Sequence, residues 1–288
     1  MASRAGFHAF RGEHVDIGGR RLRVVRAGAP TDAPMIVLEC GAFGCAADWA
    51  VVQDRLAAQG LASLAYDRAG LGYSDPGPTP RDGRAIAEDL EALLQRLDIR
   101  GPLLMVGHSM AGILLRVFVG RNAEQVCGLV LVDAVTSEAV EHPAAARAIA
   151  GFQGALGLVG RWSGLGFMRP VSWVIGDKIG LDGEASREKR RIYGLASHAK
   201  WSAEEVANWS ATSIQGRDIG EYDPDLPVAV VTAGAVPLSP GLKDMQSAPA
   251  RASSKGYEAH VVGAGHANLL GRKFADPIID GVRHVLGV

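Results

Sequence analysis

Residues 103–115 join an apolar strand-like run, Leu103-Leu104-Met105-Val106, through Gly107-His108-Ser109-Met110-Ala111 to an apolar helix-like run beginning Gly112-Ile113-Leu114-Leu115. One serine therefore stands on a strand-to-helix turn with a small residue two places to each side. So tight a turn brings its flanks together, and Gly107 and Ala111 leave room where larger side chains would clash. It also pushes Ser109 out of the sheet, and its place at the start of a helix aims backbone N–H groups at the hydroxyl, a setting suited to a developing oxyanion. The segment departs from G-x-S-x-G only at the fifth place, where Ala111 stands and Gly112 follows.

The surrounding pattern says what sheet this turn belongs to. His14-Val15-Asp16-Ile17 and Arg21-Leu22-Arg23-Val24-Val25 alternate on either side of Gly18-Gly19, a hairpin signal. Continuous apolar runs then recur at 35–38, 61–65, 103–106, 129–132 and 228–231, with a weaker one at 259–262. Such runs suit strands buried on both faces. Helical patterns lie between or after them at 47–58, 85–97, 110–119 and 275–286. Strand and helix alternate, so the expected class is α/β, a mostly parallel central sheet flanked by helices. The alternation fails between Ala134 and Asp225, which is expected to be a largely helical cap, residues 134–225, inserted into a core of residues 1–133 and 226–288. Its first half carries Phe152, Leu156, Leu158, Val159, Trp162, Leu165, Phe167, Met168, Trp173 and Ile175. That apolar load needs cover from the catalytic face or a membrane surface. In the second half, Glu188-Lys189-Arg190-Arg191 is expected as a solvated helix face.

With 288 residues and 48% hydrophobic content, the chain can bury one large core. Its 30 basic and 31 acidic residues give a net charge of −1, which creates no long-range field for nucleic acid or an anionic membrane. The expected partner is a small molecule; nucleic acid and a membrane are not expected, and a homo-oligomer stays open. Cys40, Cys45 and Cys127 make no disulfide framework and match no metal spacing, so neither metal nor cofactor is expected, and a reducing, cytoplasmic setting is. Met1 to Phe10 hold no apolar leader core, and no run of about 18 apolar residues occurs.

An activated serine needs a base within hydrogen-bond reach and a carboxylate that fixes the base's tautomer. Gly263-Ala264-Gly265-His266-Ala267-Asn268 follows the last strand-like run, where a glycine-rich loop can bring an imidazole towards Ser109. His266 is the expected base. His108 adjoins the serine but is expected to point elsewhere from a strand end, while His142, His198 and His260 lack the loop context; all four are expected to be structural or surface residues.

With these motifs the chain resembles the α/β-hydrolase family, from the hairpin near Val15 to the final helix. Gly107-His108-Ser109-Met110-Ala111, Tyr66-Asp67-Arg68-Ala69-Gly70-Leu71-Gly72-Tyr73-Ser74 and Gly265-His266 carry the resemblance. It implies the α/β-hydrolase fold, with Asp67, Arg68 and Ser74 pinning a loop. It also implies an oxyanion loop after the third strand, here Leu38-Glu39-Cys40-Gly41-Ala42-Phe43-Gly44, with cysteine where the family commonly has histidine. Backbone N–H groups form the hole, so Ala42 and Met110 are its expected donors. Glu39 needs a buried partner, and Arg68 is the expected one; Cys40 reads as a small buried residue. The family usually places its acid beyond the seventh strand, where 232–239 contain no carboxylate. Asp133, closing Leu129-Val130-Leu131-Val132-Asp133, is the expected acid, and Asp244 is the alternative.

The resemblance implies an aspartate nucleophile in dehalogenases and epoxide hydrolases, whereas Ser109 implies acyl transfer. The expected activity is hydrolysis of short to medium uncharged carboxylic esters, with Phe43, Trp49 and Met110 lining the pocket. Amide, lactone or C–C hydrolysis, acyl transfer, an interfacial lipase and a non-catalytic small-molecule receptor are the alternatives.

Overall fold

A computed structural model describes residues 11–234 and 240–288. Met1 to Phe10, read above for a leader, and Ala235 to Ser239, from the stretch searched for a carboxylate, lie outside those residues. Gly18 and Gly19, both at positive φ, turn β1 (Glu13–Asp16) back on β2 (Arg21–Ala27), giving the expected hairpin. The apolar runs become β3 (Met35–Glu39), β4 (Ser63–Tyr66), β5 (Leu103–His108), β6 (Val126–Val132), β7 (Val228–Ala233) and β8 (Gly256–Val261). These six run parallel in the order β4-β3-β5-β6-β7-β8, and β2 adds antiparallel to β4.

Helices α1 (Ala50–Ala58), α2 (Gly83–Arg96) and α3 (Ala111–Arg121) follow β3, β4 and β5. Between β6 and β7 lie α4 (Ser137–Glu141), α5 (Pro143–Gly164), α6 (Met168–Ile175), α7 (Gly183–Tyr193), α8 (Ala196–Ala207) and α9 (Trp209–Ile219); α10 (Pro240–Ala252) follows β7, and α11 (Asp276–Leu286) follows β8. Strand side chains alternate between two cores. Val37, Met105 and Leu129 pack with α2 and α3, while Ile36, Leu104 and Val130 pack with α1 and α11. Both faces are covered, which is why these strands read as unbroken apolar runs.

From β3 the chain moves to β4 on one side and then returns to β5 on the other. The carboxyl ends of β3 and β5 thus bound the crevice where open α/β sheets bind ligands. Ser109 leaves β5 at that point, directly across from the loop that leaves β3 at Glu39.

The helical segment differs from expectation at Glu188-Lys189-Arg190-Arg191, because Glu188 and Lys189 are buried. Helix α7 lies against the short turn Ala46–Trp49, and the buried Asp48 of that turn and Arg23 of β2 need opposite charges. Arg23 pairs with Glu188, and Lys189 Nζ lies 2.8 Å from Asp48 Oδ1. The apolar load of α5 and α6 mostly stays exposed: Leu156 and Met168 are buried, but Leu158, Trp162, Leu165, Phe167, Trp173 and Ile175 are not. Among the described residues, no helix is long and apolar enough to cross a membrane.

Candidate active site

Ser109 occupies the left-handed region at φ +58, as a strand-to-helix elbow requires. The turn is fixed on both sides: the Ser109 N–H donates to Val132 O at 3.1 Å, and the Val135 N–H donates to Ser109 O at 2.8 Å. A Cβ on Gly107 would come within 2.5 Å of Leu115 and 2.9 Å of the Ala111 Cβ. This is the crowding that demands small flanks.

Asp133 follows β6 beside this turn, also at positive φ (+43), and its N–H donates to Val231 O at 2.7 Å. His266 follows β8 in a loop held by the Gly265 N–H, which donates to Asn268 Oδ1 at 2.7 Å. The two meet with His266 Nδ1 2.6 Å from Asp133 Oδ2, while Asp133 Oδ1 accepts from the Ala233 N–H at 3.2 Å. Burial alone would raise the Asp133 carboxyl, but the hydrogen bond and charge of His266 and the Ala233 N–H outweigh it and hold the group below its ordinary value. Asp244 does not reach this site; it lies exposed on α10 beside Arg251.

His108 lies against His266 instead of pointing elsewhere from its strand end, and holds that loop in a structural role. Its ring lies 4.5 Å from the His266 ring, and its Nε2 is 2.9 Å from His266 O. Burial, then the neighbouring charge of His266, push it down to about 3, so it is neutral and its Nε2 carries the proton donated to that carbonyl. Adjacency to Ser109 is the only signal of this in the sequence.

The loop after β3 presses on the elbow, and a Cβ on Gly41 would sit 2.9 Å from the Ser109 Cβ. Three buried side chains grip its carbonyls. Arg68 donates to Cys40 O at 2.6 Å and to Gly41 O at 3.0 Å. Lys189 Nζ and His198 Nε2 each lie 3.3 Å from Phe43 O. A trans peptide points its N–H opposite its C=O, so fixing Gly41 O on Arg68 turns the Ala42 N–H the other way. Arg68 in turn bridges Glu39 Oε1 at 2.6 Å and, from α8, Glu205 Oε2 at 2.7 Å; Tyr66 OH donates to the other Glu39 oxygen. The expected Glu39–Arg68 pair is present, and Glu205 is the partner that sequence reasoning missed. Asp67 and Ser74 pin the neighbouring loop, since the Tyr73 N–H donates to Asp67 Oδ2 at 3.0 Å and Ser74 Oγ to Asp67 O at 2.6 Å.

His198 is neutral as well, lowered to about 3 by burial and then by the charge of Lys189, and its Nδ1 accepts from the Gly72 N–H at 3.1 Å. Burial pushes the Cys40 thiol well up, which makes it a packed, unreactive group. Met110 caps α3 and, expected to line the pocket, is instead buried in a cluster with Ile113, Leu114, Val140 and Trp209, whose Nε1 donates to Met110 Sδ. Phe43, at φ +56, is half-buried against Tyr193 and His198. Trp49 differs from its expected place: it is wholly buried in the core and offers no surface to a ligand, because α1 and the turn before it pack inward against the sheet.

A family model described as alpha/beta hydrolase fold matches residues 34–155. A Gibberella zeae protein described as an AB hydrolase superfamily protein is 35% identical over 104 residues, covering 35% of this chain and 32% of that protein. The chain spans less than a third of the length of the curated relatives it matches. Among solved structures, an esterase from Thermogutta terrifontis is similar with a TM-score of 0.67 at 18% identity, covering 92% of this chain and 94% of the esterase. An epoxide hydrolase from Vigna radiata is similar with a TM-score of 0.72 at 17% identity, covering 96% of this chain and 97% of that one. At such identities the likeness is one of fold.

Proposed function

Because the chain has the alpha/beta-hydrolase fold, we propose that it is a serine hydrolase cleaving uncharged carboxylic esters with short to medium apolar groups. The observation that carries this reading is the 2.6 Å contact of His266 Nδ1 with Asp133 Oδ2 at the sheet edge where Ser109 stands at positive φ. With its Nδ1 proton donated to Asp133, the His266 ring presents Nε2 as the base. Ser109 Oγ attacks the acyl carbon as its proton passes to that nitrogen, and the Ala42 and Met110 N–H groups hold the oxyanion. Collapse breaks the ester bond, and the alcohol leaves with the proton from His266. Water, deprotonated by His266, then attacks the acyl-Ser109 ester, and Ser109 regains its proton as the acid departs.

The half-buried Phe43, on the loop that faces the Ser109 elbow, supports an uncharged acyl or alcohol group. Similarity to an esterase agrees with the reading; epoxide hydrolysis does not suit it, since the elbow carries a serine. We place the protein in a reducing, cytoplasmic setting, given that Cys40, Cys45 and Cys127 are all free thiols. Reaction with a fluorophosphonate probe followed by peptide mass analysis tests the nucleophile. A single adduct on Ser109, absent in Ser109→Ala, is expected; folded wild-type protein that stays unlabelled would refute the reading.

A further inference from the structure

Helix α5 packs along α8, with Gly160 beside Ala196 and Ala199 and Leu156 buried on the same side, where Gln153 and Ser163 are half-buried. The next stripe round, Leu158, Trp162 and Leu165, repeats at the same helical spacing but faces solvent. Helix α6 repeats the arrangement. Met168 and Ser172 turn in, whereas Val171, Trp173, Val174 and Ile175 turn out. The loop between the helices joins the two stripes, with Phe167 6.0 Å from the Trp162 ring. Exposure reaches 72% at Leu165, 78% at Val174 and 50% at Trp162. An open apolar surface of this extent, built from consecutive elements, marks a contact site.

Local charge identifies the partner. Residues 143–176 contain Arg147, Arg161 and Arg169 and not one Asp or Glu, in a chain whose total is balanced. Arg147 and Arg161 are exposed on α5. Tryptophan and arginine also anchor protein interfaces, so a protein on this face is the competing outcome of the test below. Tryptophan at the headgroup level, aliphatic side chains just below it and arginine paired with phosphate is the composition of a helix lying in a bilayer interface. We propose that the outer face of α5 and α6 docks the protein on an anionic lipid surface, with the helices lying in the interface and not crossing it. The whole-chain net charge conceals this local asymmetry, which is why composition alone argues against a membrane partner.

Flotation of the full chain with vesicles tests the proposal, and it needs no turnover, so its outcome is separate from the catalytic reading. Phosphatidylcholine vesicles with and without phosphatidylglycerol would be compared for wild type and for Leu165→Glu combined with Val174→Glu, both on the exposed face. Wild type is expected to partition at least about tenfold more strongly onto the anionic vesicles, since each arginine near the surface contributes on the order of 1 kcal/mol. The double variant is expected to stay unbound with an unchanged unfolding midpoint. Wild type that fails to float, or a double variant that floats equally well, overturns the proposal. So does a wild-type dimer by analytical ultracentrifugation that the double variant turns into a monomer without any flotation, because a second copy of the chain would then cover this face.

Discussion

The helices between β6 and β7 treat their side chains in two opposite ways. In α7 and α8 the charged and polar residues point inward, and Glu188, Lys189, His198 and Glu205 are all buried. In α5 and α6 the large apolar residues point outward. The inward charges have assigned work: Lys189, His198 and Glu205 each meet a group on or beside the loop from Glu39 to Phe43, so that a segment distant in sequence fixes the backbone facing Ser109, and Glu188 pairs with Arg23 of β2. Among the described residues, the outward Leu158, Leu165 and Val174 stay exposed. One half of this helical segment is thus accounted for by the loop it grips, and the other by the docking proposed above.

The comparison breaks first at the chemistry. Asp133→Asn is expected to lower turnover of a dissolved ester by roughly 10³- to 10⁴-fold, as the loss of the orienting carboxylate does in a serine triad, with the fold intact. Leu165→Glu with Val174→Glu should leave that rate within twofold. Steady-state kinetics on a freely soluble ester reads both. A large loss in the outer-face variant would mean that the two regions are one machine.

Arg68 sharpens the inner half. Removing it in Arg68→Met leaves Glu39 and Glu205 buried and uncompensated, and breaking such a cluster typically costs ~3–5 kcal/mol. Denaturant unfolding would measure that loss. Glu205→Gln keeps the volume and one oxygen near Arg68, and is expected to weaken the hold on Gly41 O, lowering kcat more than it changes KM. Equal kcat in Glu205→Gln and wild type would confine Arg68 to a stabilising role.

A third test uses pH. His108 and His198 each stay neutral in the folded protein down to about 3, whereas an unfolded histidine takes up its proton near pH 6.5. Between those values the unfolded chain binds more protons, so stability falls as pH falls, by up to ~1.4 kcal/mol per pH unit for each histidine. Around His108 stand His266, Asp133 and Lys189, and around His198 stand Lys189 and Arg68, so cations adjoin both rings. Unfolding free energies at pH 6.5, 5.5 and 4.5 should decline less steeply in His198→Gln than in wild type. Parallel slopes would show that His198 protonates without unfolding.

These contacts also separate what is legible in the sequence from what is not. Strands buried on both faces are written as local apolar runs, and the Ser109 elbow, the His266 loop and the carboxylate following β6 each carry a local signature, so the fold and the triad candidates can be read along the chain itself. Glu205, Lys189 and His198 cannot. Their roles come from helix faces meeting β-strand loops more than a hundred residues away, and the charge run 188–191 looks the same whether it is solvated or set against Arg23 and Asp48. Trp49 misleads for the same reason: nearness to the oxyanion loop in sequence suggests the pocket, while the inward packing of the turn before α1 puts it in the core. The apolar content of α5 is visible, but its exposure depends on which stripe α8 covers.

The smallest effect probes that last point. If the outer stripe makes no contact that folding requires, Leu158→Gln and Val174→Thr should each shift unfolding free energy by no more than about 0.5 kcal/mol, the range for surface positions. Leu156, two residues away on the same helix, lies in the buried stripe, so Leu156→Ala should cost several times more, through the lost packing and the cavity it leaves. Denaturant curves on the three variants read the difference directly. Comparable losses at positions 156 and 158 would mean that both stripes are packed in solution, and the outer face would then belong to the protein's own core or to a second copy of it. A loss at 156 alone leaves the outer stripe free to be selected for a surface the isolated chain does not contain.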